Sequence, residues 1–168
     1  GKEMILLPHS VFPRVPRLQL RMWQNIVDSH PTYATKVASG KAEFARRNRR
    51  NNAVFAQVRS SLKQMCSGAE RCHYCEDSAA DEVEHFKPKD LYPSKTFVWT
   101  NFLYSCGPCN SPKRNKFGVI RNNKVEELAR KKADPIVAPC RGLVALINPR
   151  KENPLDFMKL DILDTFEF

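Results

Sequence analysis

The chain has 168 residues, 42% of them hydrophobic and 27% charged, which is the composition of a globular domain rather than a disordered one. Its length suits one ordinary domain with a buried core. No stretch approaches the roughly 20 apolar residues needed to cross a bilayer and no signal-peptide pattern is visible, so a soluble, cytoplasmic protein is expected. The net charge is +10, and residues 1 to 70 hold 12 Lys and Arg against 4 Asp and Glu. The densest run is Arg46-Arg47-Asn48-Arg49-Arg50. A basic face of this kind attracts polyanions, nucleic acid above all, although a solvated helix face has the same composition.

In chain order, an opening with Pro8, Pro13 and Pro16 gives way to a helix over Arg17 to Asp28, where Leu18, Met22, Trp23, Ile26 and Val27 recur at helical spacing. Ser29-His30-Pro31 breaks it. Tyr33 to Met65 reads as one or two further helices, with Phe44, Phe55, Val58 and Leu62 as apolar positions and Ser67-Gly68 as the stop. Val83 to Phe86 and Phe102 to Ser105 read as short strands. A helix is expected to begin near Gly107 or Pro108, with Pro112 tolerated in its first turn. Val125 to Lys132 is expected to be another helix. Prolines at 135, 139, 149 and 154 predict a loop-rich tail ending in strand-like Leu160 to Phe168, and the apolar Phe168 predicts that the natural chain continues.

Six cysteines stand at 66, 72, 75, 106, 109 and 140. Four form two Cys-x-x-Cys pairs, Cys72/Cys75 and Cys106/Cys109, and without an export signal such pairs read as a metal site before disulfides. Zinc takes four soft ligands in a tetrahedron, and two such turns fill the shell with no open position, which is the structural arrangement. The 30 residues between Cys75 and Cys106 exceed usual ribbon spacing, so that loop must build something of its own. Cys66 and Cys140 are read as ordinary buried cysteines, and His73 as an exposed or packing residue rather than a competing ligand.

Inside that loop run Asp81-Glu82-Val83-Glu84-His85-Phe86-Lys87-Pro88-Lys89 and then Trp99-Thr100-Asn101, followed by Cys106-Gly107-Pro108-Cys109-Asn110-Ser111-Pro112-Lys113. Singly, a Glu-His pair is ordinary surface chemistry and an Asn such as Asn110 ordinarily caps a helix. Hydrolysis of a phosphodiester needs a base, a Lewis acid and charge neutralisation at the leaving oxygen. His85 is the natural base, because an imidazole of pKa about 6.5 is partly neutral at cellular pH. Glu84 precedes it in a strand and so points to the opposite face; a twist or bulge is needed for both to serve one site.

Taken together, Cys72 to Phe117 resembles the HNH endonuclease family, in which an acidic-or-His/His pair, a central Asn and a terminal His or Asn are framed by zinc cysteines. Cys72-His73-Tyr74-Cys75-Glu76, Glu84-His85-Phe86-Lys87-Pro88-Lys89, Trp99-x-Asn101 and Cys109-Asn110-x-x-Lys113 are similar to the HNH subunits of Septu-type and retron-associated anti-phage systems, which work beside an ABC-type ATPase. The resemblance implies an α+β fold: a ββα-metal HNH core with structural zinc over 71–120, an N-terminal helical basic region over 1–70, and a C-terminal helix and loop-rich extension over 121–168, packed as one globular unit. It implies that Glu84 and Asn110 hold one catalytic cation and that Asn101 orients His85 through a hydrogen bond. An all-oxygen pair favours Mg²⁺ or Mn²⁺.

Arg46, Arg47, Arg49, Arg50, Lys113, Arg114 and Lys116 are the expected phosphate contacts. No stretch resembles a base-reading helix, so binding is expected to be phosphate-dominated and salt-sensitive. The expected activity is metal-dependent DNA cleavage, with RNA left open as substrate and an ABC-type ATPase as the implied partner. The alternatives are a catalytically inactive zinc-binding nucleic-acid adaptor, against which His85, Asn101 and Asn110 all argue, and a redox or zinc-storage protein, which needs none of the loop residues.

Overall fold

A computed structural model of the chain describes residues 6–8, 10–66, 68–77 and 79–157. It is a mixed helix-and-sheet structure, and the expected strand over Leu160 to Phe168 lies outside the described residues. Helix α1 spans Arg14–Asp28. It starts earlier than the apolar period suggests, because Pro13 precedes it and Pro16 sits in its first turn, where a missing N–H costs nothing. Leu20, Trp23 and Val27 form its buried face. The buried Gln24 amide accepts from Phe97 N at 2.8 Å and donates to Pro93 O at 3.0 Å, which fastens α1 to the loop that precedes the second strand.

Helices α2 (Tyr33–Arg47) and α3 (Ala53–Gln64) each begin at a side-chain cap. Thr32 and Thr35 form a reciprocal capping box, and Asn52 accepts from Phe55 N at 3.0 Å. Strands β1 (Glu82–His85) and β2 (Phe102–Ser105) pair antiparallel, with Glu82 opposite Ser105 and His85 opposite Phe102. Cys106 then caps the short helix α4, Gly107–Lys113.

Helices α2 and α3 pack on this two-stranded sheet through aromatic rings, and α1 packs on those two helices. Phe44 meets Phe55 edge-on at 5.5 Å between centroids, Phe55 lies 6.1 Å from Phe102, and Trp23 stacks 6.1 Å from Phe55. Phe55 and Phe102 are wholly buried, and each such ring contributes on the order of 2–3 kcal/mol relative to exposure.

A second sheet holds β3 (Phe117–Arg121), β4 (Lys124–Leu128) and β5 (Leu143–Val144), in the order β4-β3-β5, all antiparallel. Here the structure corrects the expected helix over Val125 to Lys132. Asn122 and Asn123 both adopt positive φ, 48° and 58°, and so form the two-residue turn of a hairpin. That turn chemistry, with Arg121 opposite Lys124, overrides the helix-forming Glu126-Glu127 pair.

After β4 the chain is largely loop, as the prolines predict. It is tied back by Arg150, whose guanidinium lies 4.5 Å over the Trp99 ring and donates to Trp99 O and Phe102 O at 3.0 and 2.8 Å. Burial pushes the pKa of Arg150 down to about 10. Among the described residues no helix is long and apolar enough to cross a membrane.

Candidate metal centre and active site

The two Cys-x-x-Cys pairs meet. The first turns back on itself, with Glu76 N donating to Cys72 O at 2.9 Å and Tyr74 N reaching Cys72 Sγ at 3.4 Å. Glu76 takes the positive φ of 53° that this turn requires. The second pair spans the start of α4, where Cys109 and Asn110 both donate to Cys106 O. All four sulfur atoms lie within 4.8 Å of one another, and Cys75 Sγ is 3.9 Å from Cys106 Sγ. Tetrahedral zinc with Zn–S bonds of 2.3 Å separates its sulfurs by about 3.8 Å, so the spacing and the donor set both fit zinc. Four protein ligands leave no open position, which makes this a site for holding structure together.

His73, between the two ligands of the first turn, is buried and takes no part in the cluster. Its ring Nδ1 accepts from Tyr104 N at 3.1 Å while its backbone N–H donates to Tyr104 O at 2.8 Å, so it acts as an extra partner of β2. Burial pushes its pKa down to about 4. Cys66 lies beside it, with Sγ 3.5 Å from His73 Nε2, and partial burial raises the thiol to about 11. Cys140 is half-buried, and its thiol donates to Glu126.

His85 ends β1 and is enclosed by rings: Phe44 edge-on at 4.4 Å and Phe102 at 5.3 Å. Its Nε2 lies 2.8 Å from Thr96 O. A carbonyl only accepts, so the ring donates from Nε2 and keeps its lone pair on Nδ1. Burial, with Lys89 and Lys113 nearby, pushes its pKa down to about 3. The imidazole is therefore neutral throughout the physiological range.

His85 and Glu84 line one groove of about 970 Å³ together with Glu82, Lys89 and Asn110. The β1–β2 register runs unbroken through Glu84 and His85, so the two side chains leave opposite faces of the strand: Glu84 meets Lys113 of α4, and the His85 ring packs against Phe44 and Phe102. Glu84 is buried, and burial raises its carboxyl pKa against the opposing effect of Lys113. Lys113 Nζ donates to Glu84 Oε1 at 2.5 Å and to His85 O at 2.8 Å. One turn earlier on α4, the Asn110 amide donates to the Glu82 carboxylate, which leaves its carbonyl oxygen for another partner. Glu84 and Asn110 thus offer hard oxygen donors on the groove beside a neutral imidazole, a pair whose chemistry fits Mg²⁺ or Mn²⁺, while Glu82 is taken up by the Asn110 amide. Sequence reasoning missed Glu82; its signal is the i, i+2 spacing to Glu84, which puts both on one face of a strand.

Asn101 is buried and lies elsewhere than the resemblance implies. Its Oδ1 accepts from Lys87 N at 2.9 Å, and its Nδ2 donates to Lys87 O and Lys95 O, each at 3.0 Å. No direct Asn101–His85 side-chain bond is present among the described residues, because both amide protons are already taken. Asn101 instead pins the ends of the loop that leads to Thr96, whose carbonyl orients the His85 ring. It acts on the imidazole at one remove.

The basic residues separate into those on the groove and those off it. Arg47 is largely buried: its guanidinium lies 4.4 Å over the Trp23 ring and binds Glu43. Arg46 is exposed and pairs with the same Glu43 at 2.8 Å. Arg49 is exposed, and its backbone carbonyl accepts from Arg59 at 3.0 Å. Arg50 lines the groove, joined by Arg59, Lys63 and Lys89. Arg59 escaped the sequence reading because it lies outside the dense basic run, with Lys63 the one other charged residue of α3. On α4, Lys113 is engaged with Glu84 rather than with solvent. Arg114 is exposed at the helix end with φ 40°, and Lys116 lines a separate apolar cavity with Phe86 and Phe117.

The structure therefore defines an α+β protein with a four-cysteine metal centre beside a polar groove. Over 89 residues the chain is 34% identical to Septu protein PtuB of Bacillus thuringiensis, a match covering 49% of this chain and 35% of that relative, so the chain spans about a third of the relative's length. No protein-family model and no solved structure matches the chain.

Proposed function

We propose that this chain is a metal-dependent HNH endonuclease that hydrolyses DNA as the effector of an anti-phage defence system in the cytoplasm. The observation that carries the proposal is the His85 imidazole. It is neutral, held by Thr96 O through Nε2, and shares one groove with Glu84 and Asn110. The order β1-β2-α4, stapled by four cysteines, is then a ββα-metal core whose zinc is structural.

In this reading Nδ1 of His85 accepts the proton of the attacking water, and the ring leaves the reaction as an imidazolium whose Nε2–H still donates to Thr96. Glu84 and Asn110 hold the cation, with Glu82 positioning the Asn110 amide. A bound Mg²⁺ or Mn²⁺ supplies Lewis-acid neutralisation of the departing 3′ oxygen. Asn101 fixes the loop that carries Thr96. Arg50, Arg59 and Lys89 offer the cationic wall that a phosphate backbone requires. The products are a 5′-phosphate and a 3′-hydroxyl.

The similarity to a Septu protein supports assignment to a defence system of several subunits, with an ABC-type ATPase as the partner that governs when the site acts. Incubation of supercoiled plasmid with purified protein in Mg²⁺, Mn²⁺ or EDTA tests the activity. Nicking with either cation and none with EDTA is expected. Absence of cleavage with and without the ATPase would leave the inactive zinc-binding adaptor as the better account.

A further inference from the structure

Helix α1 carries three distinct faces. Leu20, Trp23 and Val27 are buried. Val15, Leu18, Met22 and Ile26 are 77%, 46%, 60% and 41% exposed, and Val11, just before the helix, is 90% exposed. At 3.6 residues per turn the four helical residues fall within a sector of about 80° and so form one continuous stripe. Arg14, Arg17 and Arg21 are exposed along the neighbouring arc. Among the described residues no carboxylate pairs with these three. Arg17 donates to Phe12 O at 2.8 Å, and Asp28, the one acid of α1, accepts from Gln24 at 3.0 Å.

Three of the apolar residues that set the helical period in the sequence therefore reach water rather than the core. A contiguous apolar stripe rimmed by charge is the mark of an interaction surface. Its chemistry also selects the occupant. Nucleic acid would satisfy the arginines and leave the stripe wet. A second copy of this helix would set arginine against arginine.

We propose that the outer face of α1 docks a partner protein through an apolar ridge flanked by carboxylates, with Val15, Leu18, Met22 and Ile26 receiving the ridge and Arg14, Arg17 and Arg21 the acids. None of these residues lines the groove of the candidate site, so docking here leaves the groove open to substrate. The inference rests on the partner reading above, and the ABC-type ATPase subunit serves as the probe.

The test is titration of the zinc-loaded full chain against that subunit, using wild type, a Leu18→Glu/Met22→Glu variant and an Arg17→Glu/Arg21→Glu variant. Zinc content and circular dichroism report whether each variant is folded. Both variants are expected to keep their zinc and their basal plasmid cleavage, and to bind at least roughly tenfold more weakly. Wild type that binds while folded variants bind equally well overturns the inference alone. Wild type that fails to bind removes the partner reading, and the inference with it. Stripe-dependent binding to vesicles of anionic phospholipid in place of the ATPase also overturns it.

Discussion

Lys113 donates to the Glu84 carboxylate at 2.5 Å, and both side chains are nearly enclosed, at 12% and 10% exposure. One ammonium thus ties α4 to β1 at the centre of the candidate site. Removing it in Lys113→Met strands a buried carboxylate, which costs on the order of 3 kcal/mol. Burial already raises the Glu84 pKa and Lys113 opposes that, so in the variant it rises further. A carboxyl whose folded pKa is raised contributes stability below its unfolded pKa and loses it as pH rises through the folded value. The deficit relative to wild type should therefore be largest near pH 8 and shrink towards pH 5 in urea melts. Adding Glu84→Gln should recover most of it; equal deficits at both pH values would contradict the pairing.

Two buried histidines set the acid limit of the fold. His85 is pushed down to about 3 and His73 to about 4, both by burial. A group with a depressed folded pKa is neutral in the fold and protonates first in the unfolded chain. Stability is therefore complete above about pH 6.5 and falls as pH drops from there towards 3–4. At about 1.4 kcal/mol per pKa unit the two together account for several kcal/mol. Thermal melts from pH 7.5 to 4.5 should show a steep loss, and His73→Gln should flatten it. The acid limb of cleavage should likewise lie below pH 6, not at the ordinary imidazole value.

Asn101→Ala removes three hydrogen bonds to the backbone of Lys87 and Lys95, at a cost of about 1–3 kcal/mol. Because Asn101 acts on His85 only through the loop that bears Thr96, the turnover rate should drop while zinc content and the affinity for DNA stay unchanged. Parallel loss of kcat and DNA affinity would mean that the residue touches substrate instead.

Cys72→Ser and Cys109→Ser should each lose zinc and unfold the loop between the pairs, because metal-binding free energy closes it. Zinc quantification beside limited proteolysis reads both effects. A fully folded, protease-resistant variant without zinc would contradict the structural role.

Arg50→Ala and Arg59→Ala should weaken DNA binding and each lower the slope of log affinity against log salt by about 1. Arg46→Ala should change little. Arg47→Ala should instead lower stability, since its guanidinium packs on Trp23. Equal effects of all four on binding would mean that the whole basic run touches nucleic acid.

These contrasts show which parts of the molecule were legible. The four-cysteine cluster could be read from spacing alone, since Cys-x-x-Cys dictates local thiol geometry whatever surrounds it. The β1 and β2 strands and the break before α2 were also readable, because short apolar segments and a proline are local signals, whereas the break between α2 and α3 was left open. The hairpin at Asn122-Asn123 was missed where a helical pattern and a turn signal competed, and the turn prevailed. The burial of Arg47, the target of the Asn101 amide and the approach of Arg59 depend on contacts between distant segments. Composition and periodicity carry no trace of them. The exposed half of α1 belongs with these, since an apolar period does not say which of two apolar faces meets the core.

The central claim is that His85 supplies the base in a groove it shares with Glu84 and Asn110. The most direct measurement is single-turnover cleavage of supercoiled plasmid in Mg²⁺ by wild type and His85→Ala, both matched for zinc content and DNA affinity. The account predicts metal-dependent cleavage by wild type and a loss of at least about a hundredfold in the variant. Equal rates from the two proteins would contradict it.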